Sequence, residues 1–122
     1  MTRMTLRFTK MHGAGNDYVV IDARGEEQKW ASIARDLLDR HFGIGGDGLL
    51  LVENSNVADV RMRMLNPDGS EAEMCGNGIR CFCKFVIEGN ILPNIDGALQ
   101  VETGAGVLNV EPITDTAGQI TR

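Results

Sequence analysis

The chain has 122 residues, 43% of them hydrophobic, a net charge of -5, a pI of about 4.9 and a mean hydropathy of -0.12. These values suit one soluble domain; no apolar run is long enough to span a bilayer, and MTRMTLRFTK has no apolar leader. The acidic balance, the scattered Lys and Arg and the single Tyr and Trp argue against nucleic acid or an anionic membrane as the main partner.

Leu6 to Met11 alternates and reads as a strand. His12-Gly13-Ala14-Gly15-Asn16-Asp17 reads as a long, glycine-bearing turn and Tyr18 to Ile21 as a second, more buried strand, together a hairpin in outline. Asn16, at the mouth of that strand, has two readings: punctuation of the turn, or an amide aimed at a ligand. Asp22 to Gln28 is a polar loop. Trp30, Ile33, Ala34, Leu37 and Leu38 then share one face of a helix over Lys29 to Arg40, with Trp30 as a core anchor.

Gly43-Ile44-Gly45-Gly46-Asp47-Gly48 is a second glycine cluster. It lacks the Lys-Ser/Thr of a phosphate loop and leads into a strand, Leu49 to Glu53, rather than a helix. It says only that the backbone passes close to something small. After a turn at Asn54 to Asn56, Asp59 to Leu65 alternates Val60, Met62 and Met64 against Arg61, Arg63 and Leu65, as a strand does.

The stretch Met64 to Cys83, MLNPDGSEAEMCGNGIRCFC, carries the most chemistry. Asn66-Pro67-Asp68-Gly69 has a turn residue at each position, and a short strand follows. From Gly76 to about Glu88, Ile79, Phe82, Cys83 and Val86 recur at helical spacing. The polar residues Asn77, Arg80, Lys84 and Glu88 make a stripe only about 80° wide. A helix apolar nearly all round is buried nearly all round. The expected fold is therefore α+β, a mixed, curved β-sheet wrapped around this central helix.

Cys75 falls at the start of that helix, where unpaired backbone N–H groups favour a thiolate. A helix end contributes about 0.3–1 kcal/mol, up to ~2 when partly buried, so the dipole alone raises the thiolate fraction roughly tenfold. Position by itself leaves two readings, a poised thiol or a buried small hydrophobe. Three cysteines, an odd number, crowded between Cys75 and Cys83, make no disulfide framework, and C-x5-C-x-C matches no common zinc pattern. No metal and a reducing cytoplasm are expected. Gly89-Asn90 closes the helix and Pro93 to Gly97 is loop. Leu99 to Thr103 and Val107 to Glu111 read as a hairpin across Gly104-Ala105-Gly106. Residues 1–113 read as one domain, and 114–122, without periodicity, as a tail or truncated linker.

FTKMHGAGNDYVVID, RHFGIGGDGLLLVE and MLNPDGSEAEMCGNGIRCF, in this order, resemble the amino-terminal half of the diaminopimelate epimerase family, from about Phe8 to about Val110. The resemblance implies a pyridoxal-independent isomerase without a cofactor, serving lysine and cell-wall precursor biosynthesis. It implies two such domains with the active site in the cleft between them. An α-proton leaves one face of a diaminopimelate stereocentre and another returns to the opposite face, while N–H donors at helix ends grip the α-carboxylate. Under this resemblance Cys75 matches one of two acid/base cysteines, Gly76 and Asn77 the donors of the carboxylate site, and Asn16 and Asn66 side chains of the substrate pocket. Asp47-Gly48 matches the loop beside it; some members carry Gln where this chain has Gly48, so any contact there is through backbone.

A single thiol serves one face of a planar carbanion, and Cys81 and Cys83 lie too far along the helix to serve the other. The resemblance places the second base in a carboxyl-terminal half, and the chain alone is expected to be inactive. Its exposed cleft face leaves a homodimer open. Proline racemase-like and phenazine-biosynthesis-like isomerases share the scaffold, and a stand-alone amino-acid-binding domain is a further alternative.

Overall fold

The computed structural model of the chain describes residues 7–13, 15–72, 76–88 and 99–110. Strand β1 (Thr9–Gly13) is followed by β2 (Asn16–Asp22), helix α1 (Trp30–Leu38), β3 (Gly48–Glu53) and β4 (Val60–Leu65). A short β5 (Glu71–Ala72) precedes helix α2 (Gly76–Glu88), then β6 (Leu99–Thr103) and β7 (Gly106–Val110). All the strands join one sheet in the order β1-β2-β3-β4-β6-β7, with β5 beside β4. The β2–β3 and β4–β6 pairs are parallel, and the others are antiparallel.

The first hairpin is tighter than its sequence suggests. Gly13 pairs with Asn16, so the ladder includes His12, Asn16 and Asp17 and leaves only two residues for the turn. Polar side chains at a sheet end do not oppose pairing, because the strand is decided by backbone hydrogen bonds and by its buried neighbours. β2 supplies those neighbours in Tyr18 to Ile21, all buried.

The run Gly48 to Val52 is buried at every position, which requires cover on both faces of the sheet. Two crossovers provide it. α1 lies between the parallel strands β2 and β3, and α2 between the parallel strands β4 and β6, both stepping the same way across the sheet. β3 and β4 are antiparallel, so the two crossovers start from strands of opposite direction. If both are right-handed, as parallel crossovers nearly always are, their helices fall on opposite faces. The core divides accordingly. Tyr18, Val20, Leu50, Val52, Met62 and Met64 pack with Phe82, Cys83 and Val86 of α2. Val19, Ile21, Leu49, Leu51 and Leu65 pack with Trp30, Ala34 and Leu38 of α1.

A mixed sheet on an apolar helix is the architecture the sequence pattern calls for, and α1 adds a second layer on the other face. On α2, Phe82 and Val86 are fully buried, while Arg80 and Glu88 of the polar stripe are exposed.

The Asn66-Pro67-Asp68-Gly69 turn closes with a Gly69 N–H to Asn66 C=O bond of 2.9 Å. It also sits on α1. Gly69 has φ +88°, and a Cβ there would meet the Ala31 carbonyl oxygen at 2.8 Å. Gly69→Ala is therefore strained twice, in backbone conformation and against helix backbone, and should cost about 1–3 kcal/mol. Urea unfolding of the variant checks this; an unchanged midpoint would mean that the turn does not rest on α1.

Candidate active site

Register assembles residues that are distant in sequence. Tyr18 pairs with Gly48, and Leu49 with Leu65, so Asn16, Asp47-Gly48 and Asn66 all fall at one end of the sheet. The Gly13 end of β1 is there as well. α2 points back to the same end. Phe85, near its C-terminus, shares a shallow hollow with Phe8, Thr9, Val20 and Asp22 at the opposite end. The helix therefore begins, at Gly76 and Asn77, on the side of the three asparagine- and glycine-bearing loops. Its first N–H groups have no partner within the helix and favour an anion. Cys75 immediately precedes Gly76 in sequence and lies outside the described residues.

Two carboxylates meet where β2 and β3 begin. The Asp47 N–H donates to the Asp17 carbonyl at 2.8 Å, and Asp47 Oδ2 accepts the Asp17 N–H at 2.9 Å and Asn16 Nδ2 at 3.4 Å. Side by side, two acidic residues repel. Arg40, in the turn after α1, answers both: Nη2 reaches Asp17 Oδ1 at 2.9 Å and Asp47 Oδ1 at 3.2 Å. Lys10 of β1 adds a contact of 3.2 Å to Asp17 Oδ2. The Arg40 guanidinium, aided by Lys10 and the Asp47 contact and opposed by partial burial, holds the Asp17 carboxyl well below the usual carboxylate range.

The second glycine cluster now has a structural explanation. A Cβ on Gly43 would lie 2.1 Å from the Asp36 carbonyl oxygen, and one on Gly46 would lie 3.0 Å from a Leu38 methyl. The small object this backbone passes is the last turn of α1, whose Leu37 carbonyl accepts the Gly45 N–H at 2.9 Å. Gly48 differs from the other two. A Cβ there would press on Tyr18 and Met64 at 3.1–3.2 Å, on the α2 face of the sheet.

Asn66 keeps its side chain within its own turn, where Nδ2 donates to Ser70 Oγ at 3.0 Å. Ser70 in turn donates through N–H and Oγ to Asp68 Oδ1, at 2.9 and 2.6 Å. Cys81 and Cys83 are buried, and burial pushes the Cys83 thiol up to about 12, so it remains protonated at neutral pH. Among the described residues no group of three His, Cys, Asp or Glu side chains is placed to hold a metal ion, and no helix is long and apolar enough to cross a membrane.

The sequence motifs single out Asn16, Asp47, Gly48, Asn66, Gly76 and Asn77, and the fold brings them to one end of the sheet. They miss Lys10, Asp17 and Arg40. The one available signal is that Asp17 and Asp47 each stand beside a glycine-bearing turn at the head of an apolar strand, a place where paired acids need a cation.

The sequence model of the family described as "Diaminopimelate epimerase" matches residues 8–121. Curated relatives include the diaminopimelate epimerase of Heliobacterium modesticaldum, 49% identical over 120 residues, covering 95% of this chain and 42% of the relative. The diaminopimelate epimerase of Caldanaerobacter subterraneus is 57% identical over 106 residues, covering 87% and 38%. The chain thus spans about two fifths of the length of these relatives. Among solved structures, a phenazine biosynthesis protein of Bacillus anthracis superposes with a TM-score of 0.69 at 26% identity, over 93% of this chain and 36% of that one. A probable proline racemase of Agrobacterium radiobacter superposes with a TM-score of 0.75 at 18% identity, over 95% and 39%; this second likeness speaks to the fold alone.

The Asp17 contacts carry a pH dependence. A carboxyl held below its ordinary value stabilises the fold above that value, about 3.9, and the contribution is lost as pH falls through the lowered one. Asp17→Asn should therefore cost about 1–3 kcal/mol at pH 7, and the difference from wild type should shrink in acid, below about pH 4. Urea unfolding at the two pH values reads this out, and an equal difference at both would remove Asp17 from the acid response.

Proposed function

Because the chain belongs to the diaminopimelate epimerase family, we propose that it supplies one half of the active site of a cofactor-independent epimerase acting on diaminopimelate. The observation that carries this is the convergence, at one end of the sheet, of the α2 N-terminus with the loops bearing Asn16, Asp47-Gly48 and Asn66. A cysteine stands directly before that helix in sequence. The N–H groups at Gly76 and Asn77 hold the substrate α-carboxylate, and Asn16 and Asn66 line the rest of the pocket.

In this reading the Cys75 thiolate takes the α-proton. The Cα–H bond breaks, its electron pair spreads into the carboxylate, and the proton goes to sulfur. N–H donors aimed at the carboxylate stabilise the charge that develops there. A second acid then delivers a proton to the opposite face of the carbanion. Neither neighbouring thiol can be that acid, because Cys81 and Cys83 are buried and the Cys83 proton is held too tightly for exchange near pH 7. We assign the second acid to a carboxyl-terminal domain, with residues 1–113 as the amino-terminal one and 114–122 as the start of the link between them, in keeping with relatives more than twice this chain's length. Lysine and cell-wall precursor supply in a reducing cytoplasm is the setting this implies. A homodimer through the open cleft face is compatible with it.

The test is conversion of LL- into meso-diaminopimelate. The isolated chain should bind the substrate without inverting it, and the complete gene product should turn it over. Cys75→Ala should lower the rate of the complete product about 10²–10⁴-fold. Robust inversion by the isolated chain would overturn the half-site, and a near-normal rate in the variant would remove Cys75 from the chemistry. In the native chain a thiol-alkylating reagent should label Cys75 first, with Cys81 and Cys83 reacting only on unfolding.

A further inference from the structure

We infer that Asp47 is a positioning residue of this site, fixing the orientation of the Asn16 amide, and that Arg40 allows it to do so by neutralising the Asp17–Asp47 pair. The inference rests on the epimerase reading for its substrate, but the geometry is independent of it. Asp47 is tied to β2 in both directions, its N–H on the Asp17 carbonyl at 2.8 Å and its Oδ2 on the Asp17 N–H at 2.9 Å. With its backbone and one oxygen so held, the carboxylate has little freedom. That same oxygen receives Asn16 Nδ2 at 3.4 Å.

A carboxylate accepts hydrogen bonds and donates none. The Asn16 amide is thereby set with its nitrogen toward Asp47; the flipped amide would oppose two oxygens. An amide that turns freely presents donor and acceptor alike, whereas a fixed one presents a single pattern to a ligand.

The arrangement has a support. Unscreened, adjacent Asp17 and Asp47 would drive each other apart. Arg40 bridges them at 2.9 and 3.2 Å. Arg40 is itself placed by the turn that Gly43 and Gly45 fold onto the end of α1. Scaffold and site are thus joined in a chain from the α1 terminus through Arg40 and Asp47 to Asn16.

Two measurements test this. In the 122-residue chain, NMR of the Asn16 side-chain NH2 should show slowed exchange with water. Asp47→Ala should speed that exchange several-fold, and Asp47→Asn, which keeps an accepting oxygen, should largely restore it. In the complete gene product, Asp47→Ala should lower kcat/KM for diaminopimelate exchange by up to about 10²-fold, with recovery in Asp47→Asn. On an Asn16→Ala background the same change should add less than about threefold, because residues acting through one another are not additive. Unaltered Asn16 signals, or losses that multiply in the double variant, would overturn the inference. If Asp47→Ala does not fold, the Asn16 signals of Asp47→Asn and of Arg40→Ala decide it. If the wild-type gene product does not exchange diaminopimelate at all, the substrate reading fails while the NMR result still judges the positioning.

Discussion

The demand that organises this molecule is made by one strand. β3 presents an unbroken buried run, Gly48 to Val52, and a strand with no polar face can exist only between two covering layers. Parallel pairing on its β2 side and antiparallel pairing on its β4 side allow a helix to be delivered to each face by a short crossover. One geometric consequence matters for function. The starts of β2 and β3, the end of β4 and the start of α2 all come to the same end of the sheet, so the loops that carry asparagine, aspartate and glycine become neighbours.

That end is held by charge as much as by packing. Starting two parallel strands with aspartates side by side is unfavourable unless cations are supplied, and Lys10 and Arg40 come from two other elements to supply them. The contrast with the far half of the sheet is instructive. Arg61 and Arg63 also face acids there, Glu53 and Glu71, at 3.4–4.0 Å. Those pairs, part of them half-exposed, straddle an open face and are worth little individually. The cluster at Asp17 is shorter and its carboxylate is shared by two cations, Arg40 first and Lys10 second, which is why the Asp17 carboxyl is so strongly held in its ionised form.

The two cysteines of α2 show how depth, rather than residue type, assigns chemistry. Cys81 and Cys83 are both buried on α2, where a thiol serves as a small apolar filler, and burial penalises the charged form of Cys83. Cys75 directly precedes the helix in sequence, and we propose for it the reactive role at the helix start. The proposed reaction needs two such positions on opposite sides of one carbon. The relatives this chain matches are more than twice its length, which leaves room in a longer polypeptide for the other.

The sequence by itself determined the elements. Hydrophobic periodicity located α1, β3, β4, α2 and the β6–β7 hairpin to within a residue or two, and Asn66-Pro67-Asp68-Gly69 announced its turn, because these signals are local. The motifs around Asn16, Asp47 and Cys75 also pointed to the family. Only the tertiary structure decided what stands beside what. The pairing of Gly13 with Asn16, the contact of Gly43 and Gly46 with α1, and the Arg40 bridge between Asp17 and Asp47 depend on strand register and on the face each crossover takes. Register is set by which apolar residues across the whole sheet can be buried together, and no short stretch of chain contains that information.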